Sequence, residues 1–181
     1  MNNITIRRPI TQDIESMNLF FELVLRNTFE RNGIGNLTNA LDGEIEGKKK
    51  CLEQDIKSNG KERCFFIATI DNILVGTIES GPPNDIIIKN TSNEYIDLLE
   101  VGTVFVHPDY QKQGIGNMML NHIFNDLANR GVKEFCLDSG YKSAQKIWKK
   151  KFKEPVYLLK DYWGEGTDHM IWRSSVSDFL K

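Results

Sequence analysis

Cysteine, net charge and long apolar runs are the scarce features of this sequence. Its 181 residues include three cysteines, Cys51, Cys64 and Cys136, far apart and odd in number. They show neither metal-ligand spacing nor a disulfide framework, so a reduced, cytoplasmic compartment is expected. No segment approaches the ~18 apolar residues of a membrane span. The opening MNNITIRRPI has no apolar h-region and does not read as a secretory signal. The formal net charge is −2, which argues against a global basic field for nucleic acid and leaves only local basic sites. Internal repeats, low-complexity segments and linkers are lacking too. What is present is ordinary for a globular protein: 40% apolar and 27% charged residues in a chain long enough for a real core. A single domain over residues 1–181 is expected.

Periodicity divides the chain into elements. ITIRRPI, Ile4 to Ile10, alternates as a first strand. Thr11 is placed to cap a helix whose inner face is Ile14, Met17, Phe21, Val24 and Leu25, ending near Arg31. NGIGNLTNALDG reads as loop or broken helix, and Glu44 to Ser58 as a surface helix. CFFIATIDNILVGTIES is a hairpin turning at Asp71-Asn72. A loop follows, with Ile86 to Ile88 as a short edge strand. Tyr95 to Val106 is a long strand, and Gly114 to Arg130 a helix ended by Gly131. VKEFCLDSG is a strand, and Ser143 to Phe152 a helix capped by Ser143. PVYLLKDYWG and DHMIWRSS form two closing strands. The order β-α-α-β-β-β-α-β-α-β-β indicates one α/β or α+β domain with a mixed sheet.

Chemistry concentrates in FVHPDYQKQGIGNMML, Phe105 to Leu120. Glycines between a strand and a helix let the backbone turn tightly and approach a ligand closely. The first helical turn adds unpaired N–H groups and the positive end of the dipole, which together suit a phosphate. Acids usually decorate such a turn, yet Gln111 to Asn125 contains none, and Lys112 adds a positive charge. The Rossmann fingerprint is excluded because its third glycine is missing. A P-loop is excluded because no Gly-Lys-Ser/Thr follows.

VGTVFVHPDYQKQGIGNMML resembles the acyl-CoA-binding motif of the GNAT superfamily of N-acetyltransferases, Arg/Gln-X-X-Gly-X-Gly/Ala after a strand and a His-Pro-type turn. Gln111-Lys112-Gln113-Gly114-Ile115-Gly116 carries it here. The resemblance implies a mixed central sheet of about seven strands flanked by four helices, with a splayed strand pair holding acyl-CoA. It implies that the amides of Gln113 to Asn117 cradle the pyrophosphate of coenzyme A. The edge of Val104, Phe105 and Val106 would meet the pantetheine amides. The co-substrate would be acetyl-CoA, with no metal, and the family often forms homodimers. In the later helix, family members often carry Asn-X-X-Ala-X-X-X-Tyr-X-Lys-X-Gly-Phe. YKSAQKIWKKKF keeps Ala144, Lys150 and Phe152 but places Tyr141 at the asparagine position and Trp148 at the tyrosine position. That tyrosine often protonates the leaving thiolate, and tryptophan cannot.

Acetyl transfer to an alkylamine of pKa about 10 needs a proton acceptor. Glu100 is the candidate base, reading as sharing a strand face with Ile96, Leu98, Gly102, Val104 and Val106. A carboxylate among apolar neighbours becomes a better base near neutrality. Relay to bulk water is the alternative. Tyr141 is the nearest candidate acid. His107 precedes Pro108 in a structural turn, and His122 and His169 have no partners at metal-ligand spacing. Cys64 and Cys136 read as core. Lys146, Lys149, Lys150 and Lys151 read as a solvated face, or as partners of the coenzyme 3′-phosphate. For the acceptor, the early helices and late hairpin offer Glu22, Glu30, Asp42, Glu44, Asp161, Tyr162, Trp163, Glu165 and Asp168. An acidic, aromatic mouth suits a cationic amine, either a small molecule or a peptide amine. The competing readings are a non-catalytic acyl-CoA sensor of the same fold and an unrelated α/β domain whose glycines only turn the chain.

Overall fold

Alternating apolar residues in the first half of the chain build an antiparallel meander, and the second half adds a parallel crossover to it. The computed structural model describes residues 3–180. Seven strands form one mixed sheet in the order β1-β2-β3-β4-β5-β7-β6. They are β1 (Ile4–Arg7), β2 (Cys64–Ile70), β3 (Ile73–Gly81), β4 (Leu99–Val106), β5 (Glu134–Ser139), β6 (Tyr157–Leu159) and β7 (His169–Ser175). Five helices accompany them: α1 (Ile14–Arg31), α2 (Thr38–Ser58), α3 (Asp85–Asn90), α4 (Ile115–Asn129) and α5 (Lys142–Phe152).

Each face of the sheet has its own core. Phe66, Val75, Ile78, Val101, Phe135 and Leu137 pack under Met119, Ile123 and Phe124 of α4 and Phe152 of α5. On the opposite face Phe65 and Ile67 meet Met17, Phe20, Phe21 and Val24 of α1 and Leu52 of α2. The β2–β3 turn falls at Asp71-Asn72 with φ of 49° and 65°, the doubly positive geometry of a tight hairpin. Gly131, at φ 75°, follows α4 where the sequence places its stop.

Several elements differ from the expectation, each for a local reason. There are five flanking helices rather than four. The extra one is α3, where an edge strand was expected at Ile86 to Ile88. The Asn84 side chain accepts from the Ile86 and Ile87 amides, and this cap turns the isoleucine run into a helix that fully buries only Ile87. Residues 91–98 are turns, with Ser92 and Asn93 at positive φ, so β4 starts at Leu99 rather than Tyr95. Helix α2 starts at Thr38 because buried Leu41 extends the stripe of Ile45 and Leu52 by one turn. Thr11 opens a 3-10 turn instead of capping α1. Ser143 does not cap α5; its amide donates to Asn32 Oδ1 at the end of α1, 3.2 Å away.

A buried ion pair joins β1, α2 and β2. Asp55 is fully buried on α2 and accepts from Arg8 at 2.6 and 3.0 Å and from the Phe65 amide at 2.7 Å. Burial pushes the Asp55 carboxyl up, against the pull of the amide and the guanidinium. Gly60, at φ 76°, makes room for Arg8, whose Nη1 would lie 2.3 Å from a Cβ there. Replacing Arg8 would leave a buried carboxylate without its counter-charge. Arg8→Met is expected to cost about 3 kcal/mol, the low end for such a break, and to lower Tm by about 6–12 °C in a thermal melt.

Candidate active site

The site begins where two strands part. β4 and β5 pair only at Leu99–Phe135 and Glu100–Cys136. Beyond Glu100, β4 stays on β3 as far as Val106–Gly76, while β5 stays on β7 as far as Ser139–Met170. A wedge therefore opens between them, with the free main-chain edge of β4 along one side. Glu100 is the last β4 residue paired to β5, so it stands at the apex.

A bulge shapes the β4 side. Thr77 faces Phe105 and Glu79 faces Gly102, leaving Thr103 and Val104 opposite a single β3 residue. Thr103 takes up the irregularity at φ 49°, unusual for a β-branched residue. Buried polar groups hold it there: Thr103 donates to Glu79, and Thr77 donates to the Thr103 carbonyl at 3.0 Å. Glu79 is itself held by Arg63 at 2.6 Å. The bulge also corrects the expected strand face. Val104 and Val106 pack with the α4 core, like Val101, whereas Phe105 packs against α1 at Phe21. Glu100 thus shares its side of the sheet with Phe105 rather than with Val104 and Val106.

Past β4, His107 caps a 3-10 turn by accepting from the Asp109 amide at 3.2 Å, the structural role expected of it. The glycine turn follows. Gly114 is the residue before α4, at φ 85°, and no side chain caps that helix. Among the described residues, no protein group accepts from the amides of Gln113, Gly114, Ile115, Gly116 or Asn117. A Cβ on Gly116 would meet only Val106 Cγ2, at 3.7 Å. Gln111 is turned inward, donating to the Val106 carbonyl at 3.3 Å and accepting from Arg31 at 2.7 Å. Lys112 adopts φ 62°, and Gln113 reaches back to the Asp109 carbonyl at 3.3 Å. Lys151 of α5 brings its ammonium to the Asn117 side chain at the start of α4. The end of α1 touches both lips of the wedge: Arg31 holds Gln111, and Asn32 donates to Ser143 Oγ at 3.0 Å.

Glu100 has one dedicated partner. The Asn84 amide donates to Oε2 at 2.7 Å, and Asn84 Nδ2 donates to Oε1 at 3.1 Å. Surrounding protein, Asp138 and Glu79 push the Glu100 carboxyl up to about 8, against Lys48 and the Asn84 amide. Tyr141 stands apart from this set. It precedes α5, packs its ring 5.9 Å from Phe29, and is held well above the ordinary phenol range by burial and by Glu44. Trp148 packs on Phe152 in the α4 core.

Sequence reasoning missed the polar groups beside Glu100. The sequence places Asn84 in a loop and Asp138 and Glu79 in strands, and gives His169 no partner at metal-ligand spacing. In the structure His169 Nε2 lies 2.8 Å from Asp138, and Trp163 donates to His169 Nδ1 at 3.0 Å. The β3–β4 and β5–β7 pairings and the α3 cap bring these residues together, and no local pattern announces it. The acidic, aromatic mouth is partly committed to itself. Glu22 pairs with Lys49 at 3.2 Å, and Asp168 and Asp161 accept from loop amides at 2.9 and 2.6 Å. Tyr162 and Trp163 remain 40% and 55% exposed. Among the described residues no group of three or more His, Cys, Asp or Glu could hold a metal ion, and no helix is long and apolar enough to cross a membrane.

A parted strand pair, a bulge on one side of it and an uncapped, acid-free helix start are the marks of an acyl-CoA-binding fold. A family model for the Acetyltransferase (GNAT) family matches residues 34–153. The chain belongs to that family. Solved structures agree in fold at low identity. The PaiA N-acetyltransferase from Thermoplasma acidophilum, in complex with coenzyme A, superposes with a TM-score of 0.67 at 17% identity, over 96% of this chain and 99% of that one. The ribosomal-protein-S18-alanine N-acetyltransferase from Escherichia coli gives a TM-score of 0.62 at 17% identity, over 96% and 94%. An aminoglycoside 6'-N-acetyltransferase complexed with coenzyme A gives 0.62 at 16% identity, over 95% and 97%. No curated protein matches the chain by sequence.

The raised Glu100 carboxyl has a consequence for stability. Between the ordinary 4.5 and about 8, the folded chain keeps a proton that the unfolded chain has lost. Folding stability from this group therefore falls as pH rises through that window. Glu100→Gln removes the dependence. The gap in Tm between Glu100→Gln and wild type is expected to widen in favour of the variant from pH 5 to pH 8.5, read in paired thermal melts.

Proposed function

We propose that this chain is an N-acetyltransferase that passes an acetyl group from acetyl-CoA to a primary amine by direct attack in a ternary complex. One observation carries the reading. Five consecutive amides, Gln113 to Asn117, have no protein acceptor and lie at an acid-free helix start directly after the strand that borders the wedge. Such amides and the helix dipole suit a diphosphate. The residues fit that group: Gly116 leaves the approach open, and Lys112 and Lys151 add positive charge beside the turn. Gln111 supports the turn from within by holding the Val106 carbonyl. The free edge of Val104, Phe105 and Val106 offers main-chain partners to the pantetheine amides.

Glu100 supplies the base. An alkylammonium has a pKa of about 10, and an ordinary carboxylate lies far below it. A carboxyl raised to about 8 narrows the gap, so proton removal from the bound amine becomes feasible near neutral pH. The freed nitrogen lone pair attacks the thioester carbonyl carbon. Main-chain N–H groups at the β4 bulge stabilise the oxyanion. The C–S bond then breaks, and the thiolate leaves with an ordinary thiol pKa of about 8.5. Tyr141 is turned to Glu44 and holds its own proton tightly, so the second proton, lost from the newly acylated nitrogen, passes through water to the thiolate. The exposed Tyr162 and Trp163 suit a cationic acceptor, of the small-molecule or peptide kind.

Acetyl-CoA at millimolar concentration is expected to raise Tm. Gly116→Glu is expected to fold, because only Val106 stands near its Cβ, and to abolish that shift by placing a carboxylate at the anion site. Glu100→Gln is expected to keep the shift and to lower kcat/KM by about 10²–10⁴ in a thiol-release assay over an amine panel. An unmoved wild-type Tm would refute acyl-CoA binding. Binding without turnover on any amine would leave a sensor of the same fold.

A further inference from the structure

A chain of partly buried hydrogen bonds runs from the β6–β7 loop to Glu100. Trp163 donates its indole N–H to His169 Nδ1 at 3.0 Å. That donation requires Nδ1 to be the unprotonated ring nitrogen, so Nε2 carries the hydrogen and directs it at Asp138 Oδ2, 2.8 Å away. Asn84 Nδ2 donates to the same oxygen at 3.0 Å and to Glu100 Oε1 at 3.1 Å. The Asn84 amide cannot be flipped, because its Oδ1 already accepts from the Ile86 and Ile87 amides. His169 and Asp138 are 5% and 12% exposed at the side chain. Gly140 permits the approach: a Cβ there would stand 2.6 Å from Trp163 Nε1 and 3.1 Å from His169 Nδ1.

We propose that Asn84, Asp138 and His169 are positioning residues for Glu100, with Trp163 as the latch that ties them to the β6–β7 loop. The proposal rests on the reading of Glu100 as the base. Asn84 aims the Glu100 carboxylate with two donors. Asp138 stands on the other side of Asn84 as a second negative charge. Trp163 holds the His169 ring in the orientation that turns Nε2 to Asp138. His169 in turn orients Asp138, whose charge acts on Glu100.

The surroundings of Glu100 are otherwise balanced. Glu79 on β3 is paired with Arg63 at 2.6 Å. Lys48 on α2 opposes the carboxylates. The Cys136 thiol on β5 is pushed up by burial and by Glu100 and Asp138, so it stays neutral. Asp85 and Lys89 of α3 are exposed and pair with each other at 3.8 Å. Asp138 is the strongest charge acting on Glu100, and His169 and Asn84 are the side chains that touch it.

The test reads the carboxylate directly and needs no turnover. Protein labelled with ¹³C at the glutamate carboxyl is titrated by NMR, with the Glu100 resonance assigned by its loss in Glu100→Gln. The wild-type midpoint is expected at about 8. Asp138→Asn is expected to lower it by about one unit, the effect of removing a like charge. Trp163→Phe removes the donor that fixes the His169 ring, loosens its hold on Asp138, and is expected to lower the midpoint by less. Asn84→Ser keeps a cap for α3 but removes the shared donor, and is expected to raise it. These opposite signs are not what general loosening would produce. A midpoint that stays put in Asp138→Asn overturns the proposal, whether or not the chain acetylates an amine. A midpoint that stays put in Trp163→Phe removes the latch. A chain that turns over no amine while these shifts appear refutes the transferase reading alone.

Discussion

Two residue pairs, Leu99–Phe135 and Glu100–Cys136, are all that joins the two halves of the sheet. The first half is an antiparallel meander closed by β3–β4 pairing, and the second is built on β5–β7. Main-chain groups along the parted edges must find partners outside the sheet. The bulge at Thr103 is the local device that accompanies the parting. It swaps which β4 side chains face each core, so Val104 and Val106 serve the α4 side while Phe105 serves α1. Glu79 and Thr77 hold Thr103 in an unfavourable backbone region with buried hydrogen bonds. Buried acids near the apex therefore have distinct duties: Glu79 supports backbone shape, and Glu100 is left with an amide partner instead of a cation.

Much of this was legible in the sequence because the signals for it are local. Helix stripes, the Asp71-Asn72 hairpin and the Gly131 stop each depend on a few adjacent residues. The glycine turn was legible for the same reason, since an acid-free helix start with small residues is a feature of consecutive positions. Misreadings arose where a side chain overruled propensity. Three isoleucines in a row look like a strand until the Asn84 cap is counted. The face of Glu100 was misassigned because strict alternation cannot anticipate a bulge.

The hydrogen-bond set around Glu100 was illegible for a different reason. Asn84, Asp138 and the Trp163–His169 hairpin come from three separate stretches, brought together by strand pairing, the α3 cap and the β6–β7 loop. Tyr141 shows the converse. Its place in the sequence, directly after β5, suggests proximity to the chemistry, yet its ring turns to α1 and its hydroxyl to Glu44. Distance along a chain is a weak guide once a strand has ended and the next helix has chosen its own direction.

The end of α1 touches both sides of the opening, through Arg31 to Gln111 and through Asn32 to Ser143. Sheet hydrogen bonding cannot set the gap there, because the strands no longer meet. The spacing is fixed instead by a crossbar whose length is that of two side chains on adjacent residues. The C-terminal end of one helix thereby gauges the width of the opening, and whatever shifts that helix shifts both sides of the gap together.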